Sequence, residues 1–176
     1  MQTKSVLVEK TLGQDADMST DITIARATPD DAYEVAVMVG ELLEEIMRAI
    51  DKRAFNFYLA ETTARLEDFL IRDQYFVYVA RAGFGRPAGF IALDECYALY
   101  AEGAFGTIPE LYVRPEYRGL GLGKRLVASA REFGIDRGWT RLEVTTPPLP
   151  QFDRTLAFYQ RDGFAITGGR KLKVEL

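Results

Sequence analysis

The sequence predicts one mixed α/β domain, and three observations carry that prediction. The chain is 176 residues long with 48% hydrophobic and 27% charged residues, the size and balance of a single globular domain. Runs rich in β-branched and aromatic residues alternate with stretches of helical apolar spacing, in the order β, α, α, paired β, β, α, β, α, paired β. No repeat, linker or low-complexity tract interrupts residues 22–176, while residues 1–21 read as a polar leader without the apolar stretch of a signal peptide.

Each element has a local cause. Residues 22–25 form a short β-type run. Thr28-Pro29-Asp30-Asp31 then starts a helix, with Thr28 able to cap, Pro29 suited to the first helical position and two acids at the positive dipole end. Ala32, Val35, Ala36, Val39, Leu42, Leu43 and Ile46 follow at helical spacing. A second helix is expected over residues 62–71, with Leu66, Phe69 and Leu70 inward, and the aromatic stretch 54–59 before it fits either state. Residues 75–81 and 88–99 read as strands joined by a hairpin turn at 82–87, and a third strand over 107–113 stops at Pro115. Residues 122–136 place Leu122, Leu126, Val127, Ala130 and Phe133 on one helix face. A strand at 141–146, a stiff loop containing Pro147, Pro148 and Pro150, and a short helix at 153–161 come next. Two strands, 164–167 and 171–175, joined through Gly168-Gly169, complete the pattern.

Composition excludes much chemistry. With no His and one Cys, a Ser-His-Asp triad, a Cys-His pair, His-ligated metal sites and an internal disulfide are all ruled out. A net charge of −4 and a pI near 5.0 give no general pull toward nucleic acid or anionic lipid. No segment is apolar over a membrane-spanning length. The expectation is a cytoplasmic domain with no metal, no nucleic-acid partner and no membrane partner.

The most informative segment is Arg118-Gly119-Leu120-Gly121-Leu122-Gly123-Lys124, between a strand and an amphipathic helix. Glycines let successive amides turn toward one point, and the helix start adds positive dipole, so the turn suits a phosphate or pyrophosphate. It is not a P-loop, because Gly119 and Gly123 enclose three residues and Lys124 precedes Arg125. Nor is it a dinucleotide fingerprint, whose third glycine falls where Lys124 stands and which follows the first strand of its unit.

Arg118-x-x-Gly121-x-Gly123, preceded by residues 110–117 (Glu-Leu-Tyr-Val-Arg-Pro-Glu-Tyr) and followed downstream by Phe158-Tyr159-Gln160-Arg161-Asp162-Gly163-Phe164, resembles the GNAT superfamily of N-acetyltransferases. The resemblance covers residues 22–176 in element order and 108–164 in motif detail. It implies a mixed, mostly antiparallel sheet of about six to seven strands, splayed at the acetyl-CoA site and flanked by about four helices. It also implies acetyl-CoA as co-substrate. On that resemblance the backbone amides of Gly119, Leu120, Gly121, Leu122, Gly123 and Lys124 bind pyrophosphate, and the side chain of Arg118 supports the turn or meets phosphate. The pantetheine arm pairs like a strand with Leu111, Tyr112 and Val113, and an amide near Leu111 or Tyr112 polarises the thioester carbonyl.

Without imidazole, the base for amine attack is a carboxylate, a Tyr, or water relayed by one. Glu110, on the strand entering the turn, is the leading base, acting through water as family members often arrange it; Asp94 and Glu95 are its rivals. Tyr159 occupies the family's general-acid position. The chain departs from the family pattern at Phe152 and Thr155, where Asn and Ala are common, which puts one polar contact to the acetyl arm in doubt. Cys96 reads as inert core. Phe55, Phe57, Tyr58, Tyr97 and Tyr100 are candidates to line the acceptor cleft, and Glu44, Glu45, Asp94, Glu95 and Glu102 to make it acidic. The expected activity is direct transfer of acetyl to the primary amine of a small molecule, such as an amino acid derivative, polyamine or aminoglycoside-like antibiotic. The alternatives are a protein or peptide amine, a non-catalytic acyl-CoA-binding sensor and a nucleotide-phosphate hydrolase. The final strands and an exposed sheet edge permit a homodimer.

Overall fold

The fold is that of a computed structural model, which describes residues 22–167 and 171–174. One six-stranded sheet is built from β1 (Thr23–Arg26), β2 (Tyr75–Ala82), β3 (Arg86–Ala98), β4 (Gly103–Ile108), β5 (Leu111–Val113) and β6 (Leu142–Val144). The helices are α1 (Ala32–Ala49), α2 (Leu59–Ile71), α3 (Leu122–Asp136) and α4 (Asp153–Arg161). The order across the sheet is β1-β2-β3-β4-β6, with β5 also on β3; only the β4–β6 pairing is parallel. None of the described helices is long and apolar enough to cross a membrane.

Period-2 alternation on the central strands separates two cores. Phe76, Ile91, Leu93 and Ile108 pack toward Leu122, Leu126, Val127, Ala130 and Phe133, the α3 face foreseen from helical spacing. Val77, Val79, Phe90, Ala92 and Tyr112 pack on the other face against Val35, Met38 and Leu66 of α1 and α2. Asp31 ties the start of α1 down by accepting the Thr28 amide at 2.7 Å.

Four expectations need correction. The strand over 107–113 is two strands. Thr107 pairs with Asp94 and Leu111 with Ile91, so two residues of β3, Ala92 and Leu93, face three, Ile108, Pro109 and Glu110. That is a β-bulge, centred on a proline that has no N–H to give the ladder. The strand also begins earlier, at Gly103, because Phe105 is buried there despite two weakly β-forming glycines. α2 starts at Leu59, ahead of Thr62, whose amide already donates to the Tyr58 carbonyl at 2.9 Å. The two final strands are absent among the described residues: 164–167 and 171–174 carry no ladder. Phe164 turns its ring onto Tyr159, 5.2 Å between centroids, and Leu172 and Val174 stay exposed, so no apolar face anchors a pairing there. Residues 1–21, Gly168, Gly169 and Glu175 lie outside the described residues.

Candidate active site

β4 pairs with β6 from Gly106 opposite Leu142 as far as Ile108 opposite Val144. Beyond the bulge β5 continues along β3 alone, and the chain after Val144 enters the proline loop, so the sheet opens into a cleft. The Ala92 amide donates to the Glu110 carbonyl at 2.9 Å and the Arg114 amide to the Ala88 carbonyl at 3.0 Å. Antiparallel ladders alternate, so residues 110, 112 and 114 turn their backbone groups to β3. Leu111 and Val113 present theirs to the open edge. Of the two amides expected at the thioester carbonyl, that of Leu111 faces the cleft and that of Tyr112 does not.

The glycine turn closes one end. Gly119 and Gly121 have φ of +79° and +76°, with open space where a Cβ would sit, so left-handed backbone rather than crowding requires glycine at both. Gly121 is the N-cap of α3 and no side chain caps it. The first amide taken up inside the helix is that of Arg125, by the Gly121 carbonyl at 3.2 Å. The amides of Leu122, Gly123 and Lys124 are therefore the orphan donors of the helix start. Gly123 has a further task, since a Cβ there would stand 3.3 Å from the Phe158 ring; it lets α4 approach α3. Arg118 supports the turn: Nε donates to the Val113 carbonyl at 2.8 Å and the guanidinium pairs with Glu45. Lys124 is exposed beside the turn, with no ion pair among the described residues.

One cavity of about 910 Å³ joins these parts. Its wall includes Glu110, Leu111, Tyr112, Val113, Arg118, Gly119, Gly121, Leu122, Gly123, Lys124 and Tyr159. Leu120 is the one predicted coenzyme contact outside that wall, half of its surface in solvent. Glu110 is half-buried and accepts a hydrogen bond from the Tyr75 hydroxyl. Burial pushes its carboxyl pKa up, Asp94 adds to that, and the Tyr75 bond opposes it. Tyr159 is buried between Phe158 and Phe164, ring centroids 5.1 and 5.2 Å away. Burial pushes its phenol well above the ordinary range, so it stays protonated.

Other candidates fall elsewhere. Glu95 accepts from Trp139 Nε1 at 2.5 Å and from Tyr97, and pairs with Arg137, which holds its pKa down, with the Trp139 bond foremost; it belongs to the Trp139 cluster. Asp94 accepts from Thr107 and lies outside the cavity wall. Phe55, Tyr58, Tyr97 and Tyr100 are exposed and Phe57 lies against Gly40; none of the five lines the cavity. Glu44 pairs with Arg48 on the surface, and Glu102 is exposed. Cys96 is half-buried rather than core, with a thiol pushed up by burial. The departures Phe152 and Thr155 both line the cavity. Sequence reasoning missed Arg154 and Arg161, which add positive charge to the wall; their seven-residue spacing on α4, two turns along one face, is the signal that could have found them.

A sheet parted at a bulge, with a glycine-rich helix start at one end and an acid and a phenol in the same cleft, defines the class of acyltransferases that use a phosphate-bearing thioester. The pattern of the Acetyltransferase (GNAT) family fits residues 43–164, and the chain belongs to that family. It is 30% identical over 151 residues to an IAA acetyltransferase of Azospirillum brasilense, covering 84% of this chain and 87% of that one. It is 28% identical over 121 residues to a thialysine N-epsilon-acetyltransferase of Caenorhabditis elegans, covering 68% and 69%. An uncharacterized N-acetyltransferase of Archaeoglobus fulgidus is 38% identical over 69 residues, a match spanning 39% of this chain and 46% of that protein. Among solved structures, a predicted acetyltransferase from Clostridium acetobutylicum with acetyl-CoA superposes with a TM-score of 0.71 at 14% identity, covering 88% of this chain and 96% of that one.

Proposed function

We propose that the protein transfers the acetyl group of acetyl-CoA directly to the primary amine of a small molecule. The observation that carries this reading is that Glu110 and Tyr159 line one cavity with the glycine turn and with β5, whose outer edge no described strand pairs. The residues present fit the coenzyme: orphan amides at the start of α3 suit pyrophosphate, and the outward backbone of Leu111 and Val113 suits an amide-bearing arm laid along it as a further strand. The thioester supplies the activated acetyl group.

The chain's residues then divide the work. The Leu111 amide donates to the carbonyl oxygen, where negative charge grows. Glu110 receives, through water, the proton that the acceptor gives up, so that a neutral amine is what attacks the carbonyl carbon. A new C–N bond forms as the C–S bond breaks, and the sulfur leaves with the electron pair. Tyr159, kept protonated by burial, donates to that sulfur and is reprotonated from solvent. A cavity of about 910 Å³ that also takes the acyl arm leaves room for a compact acceptor, and the similarity to an enzyme named for thialysine supports a lysine-like amine.

The test is free-thiol release from acetyl-CoA across a panel holding lysine analogues, polyamines, aminoglycosides and short peptides. Release with the small amines is expected. Release with peptides alone moves the acceptor to protein, and tight acetyl-CoA binding with no acceptor-dependent release identifies a sensor.

A further inference from the structure

We propose that Tyr75 is a positioning residue for acyl transfer, its phenol fixing Glu110 from behind the catalytic cavity; this rests on Glu110 being the base. Tyr75 opens β2, sits opposite Asp94 of β3 and donates its hydroxyl hydrogen to Glu110 Oε2. The bulge creates this contact. With an extra residue in the strand between Thr107 and Leu111, the Glu110 side chain is re-aimed toward β2 instead of following the regular alternation of the ladder. Glu110 lines the cavity and Tyr75 does not, so one carboxylate oxygen is held by the protein while the other is left for the reacting side. Phe69 of α2 braces the tyrosine ring, centroids 6.0 Å apart and planes tilted by 51°.

The electrostatic surroundings give the contact a task. β3 brings Asp94, itself accepting from Thr107 of β4. β6 brings Glu143, opposite Thr107 and bound by Arg141 at 2.7 Å. α1 offers Glu41 and Glu45, engaged by Arg114 and Arg118, and α4 offers the neutral Tyr159 phenol and, on the same cavity wall, Arg154 and Arg161. No cation among these contacts Glu110, and burial and Asp94 both favour its neutral form. Among the contacts of Glu110 with described residues, the Tyr75 hydrogen bond acts in the opposite direction. The Tyr75 phenol is itself pushed far up by burial and by the Glu110 charge, so it remains a donor throughout the working pH range. It cannot serve as the base. It favours the ionised form of a half-buried carboxylate and fixes where that carboxylate points.

Tyr75→Phe removes only the donor oxygen. The Glu110 carboxyl is followed by 13C NMR of glutamate-labelled protein, its resonance identified by its loss in Glu110→Gln. In Tyr75→Phe that titration and the acidic limb of kcat/KM, measured with the fastest amine of the panel, are expected to move up together by about one pH unit. The KM for acetyl-CoA is expected to stay within about twofold, because Tyr75 lies outside the coenzyme wall. Replacing Tyr75 by 3-fluorotyrosine keeps the ring and strengthens the donor, so it moves both readings down, and it serves if the Phe variant folds poorly. An inactive Glu110→Gln beside an unmoved limb in the Tyr75 variants overturns the role of Tyr75 alone. A Glu110→Gln at full turnover brings down the base assignment instead.

Discussion

Arg118 and Glu45, 73 residues apart, meet through two N–H···O bonds, 3.0 Å from Nη1 to Oε1 and 2.6 Å from Nη2 to Oε2. The same guanidinium donates from Nε to the Val113 carbonyl at 2.8 Å. One side chain thus ties α1 to the last residue of β5 and to the head of the glycine turn. One turn earlier on α1, Glu41 grips Arg114 in the same two-pronged way at 2.9 and 2.8 Å. The edge of β5 that opens onto the cleft is held from α1.

Glu45→Ala is therefore expected to loosen the turn more than the fold. The side chains of the pair are 43% and 38% exposed, so solvent screening limits the stability loss to about 1 kcal/mol or less. Affinity for acetyl-CoA, read by calorimetry, is expected to fall about three- to tenfold, with kcat nearly unchanged. Arg118→Lys is expected to behave similarly, because an ammonium cannot replace a three-way planar donor.

Tyr159→Phe separates proton donation from packing. The ring stays between Phe158 and Phe164, so thermal unfolding and acetyl-CoA affinity are expected to hold, while kcat drops by about a hundredfold if the phenol protonates the leaving sulfur. A variant with unchanged kcat under single-turnover conditions would remove Tyr159 from the mechanism.

The parts of this site legible in the sequence are those written locally. Gly119 and Gly121 declare left-handed backbone by residue type, Leu122 to Phe133 declare a buried helix face by spacing, and Phe158-Tyr159 sits in one short helix. What escaped depends on distant partners. Nothing near Glu45 in sequence announces Arg118, and nothing near Tyr75 announces Glu110, 35 residues on. Pro109 was visible, yet only the register against β3 reveals that the chain gains a residue there. The pattern of 164–167 and 171–175 suggested strands because alternation alone cannot supply the neighbour that a strand needs.

Glu110→Gln couples activity to stability with opposite signs. The folded state raises the Glu110 pKa, chiefly through burial, so between the ordinary carboxylate pKa and the raised one the folded chain holds more proton than the unfolded chain. Stability from this group is therefore full at low pH and falls as pH rises through that window. With Glu110 as the proposed base, activity is expected to run the other way, kcat/KM falling as pH drops through the raised value. Glu110→Gln keeps an acceptor for Tyr75, so it is expected to raise Tm at neutral pH while lowering kcat by about a hundredfold or more. Calorimetric scans at pH 4 and 7.5 check the sign: the gain in Tm belongs at the higher pH.

Gly89→Ala tests whether the cleft depends on how closely β5 lies on β3. A Cβ at Gly89 would stand 2.5 Å from the Tyr112 carbonyl oxygen and 3.1 Å from Val113 Cα. Both obstacles are backbone, so no rotamer change relieves them, and the strand must move outward. Outward is where Leu111 and Val113 present their amides. The expected loss is about 2 kcal/mol of stability, typical of overpacking in a tight interior, together with acetyl-CoA affinity reduced well beyond what Glu45→Ala produces. Gly121→Ala makes the contrast, because space is open there and only the φ of +76° resists. It is expected to cost about 1 kcal/mol and to affect the turn alone. If Gly89→Ala binds acetyl-CoA as tightly as the parent, β5 is not the strand along which the coenzyme arm lies.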